Sequence, residues 1–173
     1  GADGGGAIRL LHPSVVAAVE AAQLPVEVVE CDPALADTAQ FCEAYGYAPD
    51  DSANTIVVVG KATEPVHAAC VVLASTRLAV NSVVRRRLGT RKASFAPAEV
   101  TLELTGMEIG GVTALGLPDH VPVWIDAAVL GRERVILGGG NRSSKLLVDP
   151  RVLAALPGIE VVEGLADPIP PAT

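Results

Sequence analysis

Aromatic side chains are scarce in this sequence: one Trp, two Tyr and two Phe make up 3% of its 173 residues. A surface that binds single-stranded nucleic acid by stacking successive bases needs more rings than that. Basic residues are also in deficit, 13 Lys and Arg against 20 Asp and Glu, for a net charge of −7. Coating a long phosphate backbone takes many cation contacts that release counterions, so DNA is excluded as a partner and any RNA contact must be local. Half of the residues are apolar, yet no run approaches the roughly 18 consecutive apolar residues of a membrane span, and no membrane partner is expected. Cys31, Cys42 and Cys70, like His12, His67 and His120, stand too far apart for metal-ligand spacing. No metal and no cofactor is expected. Three free thiols among small and apolar neighbours imply a reducing, cytoplasmic setting.

What is present suits one domain with a single core. The glycine-rich start lacks an initiator Met and the basic and apolar regions of a signal peptide, so residues 1–12 read as a flexible tail or expression remnant. Residues 166–173, with Pro168, Pro170 and Pro171, read as a Pro-rich tail that continues no element, leaving 13–165 as the domain. Pro13 opens a helix that ends near Gln23. Asp37 and Gln40 make a capping-box-like start for a helix over 38–45, closed by Gly46. β-Branched segments at Val26 to Glu30, Thr55 to Val59 and Val66 to Leu73 predict strands, the last two forming a hairpin. Leu78 to Leu88 has a helical apolar stripe with three arginines opposite, and Pro97 to Gly106 reads as a further helix. Strands follow at Val121 to Asp126, Arg134 to Leu137, Lys145 to Asp149 and Ile159 to Glu163, with a short helix from Pro150. Short turns between strands outnumber crossovers. The fold class is therefore α/β of the α+β kind, a mixed, largely antiparallel sheet or partial barrel with peripheral helices.

Two glycine-bearing segments carry the candidate chemistry. Gly138-Gly139-Gly140-Asn141-Arg142-Ser143-Ser144-Lys145 is too strand-like after Lys145 to be a Walker loop, and reads first as a hairpin turn. Gly106 to Gly116 is long and uncharged after Glu108, and glycine lets a ligand approach main-chain amides. There is no Ser-His-Asp or Cys-His arrangement near either segment, and no Gly-x-Ser-x-Gly elbow. Arg85, Arg86, Arg87 and Lys92 form either a solvated helix face or a phosphate patch.

Several stretches, taken in order, resemble the YbaK/EbsC family, the freestanding relatives of the editing domain inserted in bacterial prolyl-tRNA synthetase. They are Glu30-Cys31-Asp32-Pro33, Asn54-Thr55-Ile56-Val57-Val58, the Leu78 to Gly89 helix with Arg91-Lys92, Leu104-Thr105-Gly106, Gly110 to Gly116, Val121-Pro122-Val123-Trp124-Ile125-Asp126 and Gly138 to Arg142. The resemblance spans about residues 13 to 165. It implies a pocket that hydrolyses the ester between a mischarged amino acid and the tRNA 3′-terminal adenosine. The aminoacyl-tRNA acceptor end would be one partner and an aminoacyl-tRNA synthetase a second. By matched position, Gly110 and Gly111 would offer amides to the developing oxyanion. Asn54 would orient the terminal adenosine, and Val29, Thr113, Gly138, Gly139, Asn141, Arg142 and Lys145 would bind substrate. Arg85, Arg86, Arg87 and Lys92 would steer the acceptor stem.

The sequence departs from the family at informative places. A lysine usual in its deacylases is Asn54 here, a tyrosine is Val29, a proline is Ala114, and an acidic residue after the glycine turn is Lys145. Lys145 has two readings, an exposed lysine that opens a strand or a cation that replaces the missing one from across the pocket. Two functions stay open: a deacylase working through main-chain groups, or a non-catalytic module that binds an amino acid, a nucleotide or a synthetase after losing the family lysine.

Overall fold

The computed structural model describes residues 6–170; residues 1–5 and 171–173 of the two expected tails lie outside the described residues. Helix α1, Pro13–Ala22, starts where Pro13 presets the backbone and the His12 ring accepts the Ser14 N–H, and it buries Val15, Val16 and Val19. Helix α2, Thr38–Tyr45, ends on Gly46 in the left-handed region.

Two sheets carry the molecule. The larger has five strands in the order β5 (Ala93–Phe95), β2 (Ala53–Gly60), β3 (Val66–Leu73), β6 (Val123–Asp126) and β9 (Ile159–Val162). Its β5–β2–β3 part is antiparallel and its β3–β6–β9 part parallel. The smaller is antiparallel, in the order β1 (Glu27–Glu30), β8 (Ser144–Val148) and β7 (Val135–Gly138). Among the described residues they do not close into a barrel. The main core lies between them, joining α1 to Val71, Ile125, Leu137 and Leu146. A second cluster covers the far face of the large sheet through Val58, Cys70, Val72 and Trp124, and a third packs Phe41 of α2 onto Ile136 and Cys31. No helix among the described residues is long and apolar enough to cross a membrane.

Three expectations change. The helix predicted over Leu78 to Leu88 begins later, because Leu78 ends a short strand, β4 (Thr76–Leu78); Val80–Val84 then forms a π turn, with Val84 N–H on the Ala79 carbonyl at 3.0 Å, before α3, Arg85–Leu88. The C-terminal segment is not structureless where it begins: β10, Ala166–Pro168, pairs antiparallel with β4. Pro168 is tolerated because β10 is an edge strand, and fully buried Leu165 anchors it to the second cluster. Finally, the packed domain starts before Pro13, since Ile8–Leu10 form a 3₁₀ turn and Leu11 lies in the core at 3% exposure. Helices α4 (Ala98–Thr105) and α5 (Pro150–Ala154) lie where the prolines predict them.

Candidate functional site

The two sheets meet at one isolated parallel bridge, Ser52 to Ile136, and then diverge. Beyond it, β7 is the outer strand of its sheet, and β2 has a second neighbour only from Val58 to Gly60, where β5 joins. The resulting gap is a cavity of about 310 Å³ lined by Asn54, Thr55, Gly110, Val112, Gly138 and Lys145, with Phe95 and Ile109 also in its wall. Unpaired edges carry main-chain donors and acceptors that side chains do not screen. Such a wall can hold a polar ligand with few functional side chains.

Lys145 is the charged centre. It is 6% exposed, so the reading as an exposed strand-opening lysine fails. Its ammonium donates to the Ala36 carbonyl at 2.7 Å and the Gly110 carbonyl at 3.0 Å, and it lies 5.1 Å from the centre of the Phe41 ring. Burial holds its pKa below the ordinary lysine value, opposed by nearby Cys31 and Cys42. An ammonium has three protons. Two are taken by these carbonyls.

Asn54 borders the same cavity from β2, its side-chain oxygen accepting the Thr38 hydroxyl at 2.6 Å. That bond leaves the carboxamide N–H₂ as the donating end.

The two glycine segments pack on one another, as the turn between β7 and β8 reaches the Gly106 to Gly116 loop. Gly140 N–H donates to the Gly111 carbonyl at 2.6 Å, and Glu108 N–H to the Gly140 carbonyl at 3.3 Å. A side chain on Gly111 would collide with the Asn141 backbone, and one on Gly138 would sit 2.5 Å from the Gly111 carbonyl oxygen. Close approach, rather than exposure to ligand, therefore requires glycine at these two positions. The Gly111 N–H is spent on the Glu108 carbonyl at 2.9 Å, so it does not serve as the expected open donor. Gly110 differs: its φ is +91°, it lines the cavity, and its N–H has no protein acceptor among the described residues.

The aminoacyl-tRNA editing domain matches residues 32–156. The chain belongs to that family. At the family level this makes aminoacyl-tRNA the substrate and deacylation the activity. The Bacillus subtilis protein YwhH, itself uncharacterised, is 27% identical over 74% of this chain and 79% of its own length. A crystal structure of a candidate trans-editing enzyme for prolyl-tRNA synthetase has a TM-score of 0.75 at 27% identity, covering 88% of this chain and 97% of that one. The hypothetical protein APE2540 superposes with a TM-score of 0.79 at 25% identity, over 89% and 99% of the two chains.

Within this editing domain, Asn54, Gly110, Gly138 and Lys145 converge on the cavity, whereas other expected site residues hold it together. Asn141 donates to the Leu10 carbonyl at 2.9 Å and accepts from Ser143 and Ser144. Arg142 clamps the Pro33 and Ile109 carbonyls and pairs with Asp37 at 3.1 Å. Gly139 N–H is held by the Ser144 carbonyl at 3.2 Å. Val29 sits opposite Lys145 in the β1–β8 ladder, packed against the Phe41 cluster, and Thr113 is fully buried outside the cavity wall. Among the expected tRNA contacts, Arg87 is engaged by Glu160 and stacks over Trp124 at 4.9 Å, and Arg85 donates to the Asn81 carbonyl. Sequence reasoning missed Thr38, Thr55 and Phe95. Thr38 follows an N-cap and Phe95 precedes a helix, so local pattern explained both without a site.

Proposed function

We propose that this protein hydrolyses, in trans, the ester of mischarged aminoacyl-tRNA, with Lys145 supplying from β8 the cation that relatives place at the Asn54 position. The supporting observation is that Lys145, Gly110 and Asn54, which arrive from three separate elements, border one cavity. The tRNA 3′-ribose ester enters between the β2 and β7 edges. Water attacks the ester carbonyl carbon, and the carbonyl π electrons move to its oxygen. The Gly110 N–H and the third Lys145 proton stabilise that oxyanion. Collapse restores the carbonyl and breaks the bond to the ribose oxygen, which takes up a proton as the attacking water loses one. Free amino acid and deacylated tRNA result. An aminoacyl ester is already activated, so positioning and charge stabilisation suffice without a side-chain nucleophile. Such proofreading is needed because one methylene separates competing amino acids by only about 1–3 kcal/mol in a synthetase pocket. The cytoplasm, where charged tRNA is made and used, is the compartment this reading assigns.

Incubating the protein with a panel of charged tRNAs tests the proposal. Release of an amino acid well above the no-enzyme rate is expected for at least one pair. Silence across the panel leaves the chain as a binding module for an amino acid, a nucleotide or a synthetase.

A further inference from the structure

A second concavity, of about 640 Å³, is lined by Lys61, Ala62, Thr63, Arg91 and Lys92. All three of its cations are exposed, and none takes part in an ion pair among the described residues, although Arg87, Arg132, Arg134, Arg142 and Arg151 each do. Its wall holds no carboxylate. In a chain of net charge −7, three like charges left together without a counter-charge form a site for an anion brought by a partner. The backbone keeps two of them adjacent, since Lys61 N–H donates to the Lys92 carbonyl at 2.9 Å.

The next residues after Lys92 are β5, which runs along β2 with Ala93 opposite Gly60 and Phe95 opposite Val58. Lys92 and Phe95 are three residue steps of extended chain apart, about 10 Å. Phe95 is 55% exposed and stands in the wall of the catalytic cavity, whereas the other phenylalanine, Phe41, is 1% exposed in the core. One edge strand thus joins a cationic hollow at one end to a bare aromatic face at the mouth of the cavity.

We propose that β5 is a nucleotide track, on which Phe95 stacks the terminal base of the acceptor end while Lys61, Arg91 and Lys92 pair with phosphates preceding it. The track rests on the deacylase reading only for the direction in which the RNA lies. It also makes the phosphate contact local, as the overall acidity requires.

The test is binding rather than turnover: anisotropy titration, across a salt series, of a short labelled RNA hairpin whose single-stranded 3′ end terminates in adenosine, and of the same hairpin lacking that adenosine. Lys61→Gln/Lys92→Gln is expected to weaken both hairpins and to flatten the log K against log salt slope by about 1.4–1.8. Phe95→Ala is expected to weaken the complete hairpin by about 5- to 150-fold, the value of one stacked base, and to leave the shortened one unchanged; Phe95→Trp should retain affinity. All three positions are exposed, so the variants should melt like the parent. An unaltered salt slope, equal losses on both hairpins for Phe95→Ala, or a parent protein that binds neither hairpin overturns the track. Binding that follows these expectations without amino-acid release in the charged-tRNA panel refutes the deacylase reading and leaves the track standing.

Discussion

At the scale of single residues, Lys145 decides most. If it is the relocated cation, Lys145→Met should lower the deacylation rate at least tenfold, roughly the value of one lost charge-assisted hydrogen bond. Asn54→Lys/Lys145→Met should recover part of that loss, which single-turnover rates on the same charged tRNA would show; a double variant as slow as the single one argues against relocation. The pH dependence has a definite sign. A lysine whose pKa is depressed by folding binds fewer protons folded than unfolded between its lowered value and 10.5, so its contribution to stability rises with pH through that window. Below the window the burial penalty is fully present. Urea titrations should therefore show the stability difference between parent and Lys145→Met moving in favour of the parent as pH climbs toward 10.5. Thr113 poses a separate problem, for its hydroxyl is buried with no partner among the described residues. Thr113→Val keeps the shape and removes that group, and should stabilise the protein by about 1–3 kcal/mol, read as a higher urea midpoint at constant slope.

At the scale of elements, the junction of the two glycine segments governs whether the site exists. A methyl group on Gly111 would meet main-chain atoms of Asn141, and backbone cannot rotate away as a side chain can. Gly111→Ala should therefore destabilise by about 2–3 kcal/mol and abolish deacylation, whereas Gly131→Ala, with open space around it, serves as a control that leaves both unchanged. Most helices and strands were legible because their signals are local: Pro13 and Gly46 punctuate helices, and Thr55 to Val59 and Val66 to Leu73 are dense in β-branched residues. The β4–β10 pairing was not, since it joins Thr76 to Pro168 across the chain and includes a residue that local rules place outside sheets. The late start of α3 escaped for a related reason: Leu78 fits the helical stripe by spacing, and only the distant partner strand claims it.

At the scale of the whole molecule, the family motifs brought the glycine segments into view but could not separate the groups that touch a ligand from those that brace the groups that do. Gly110 and Gly111 are neighbours with the same side chain, yet one borders the cavity and the other is spent on Glu108. Asn141 and Arg142 likewise look like ligand contacts in sequence and act as braces in space. The sequence leaves Lys145 between two readings because burial of a lysine is rare, and the carbonyls of Ala36 and Gly110 that receive its protons come from remote segments.

The bridge between Ser52 and Ile136 has a wider meaning. With the sheets joined there and parted by the cavity beyond, the breadth of the chamber depends on the angle between them, like the opening of scissors about their rivet. Ser52 and Ile136 both line that chamber, so a substitution at the pivot would alter its width and its wall together. Selectivity would then answer to the joint as much as to the polar groups of the wall.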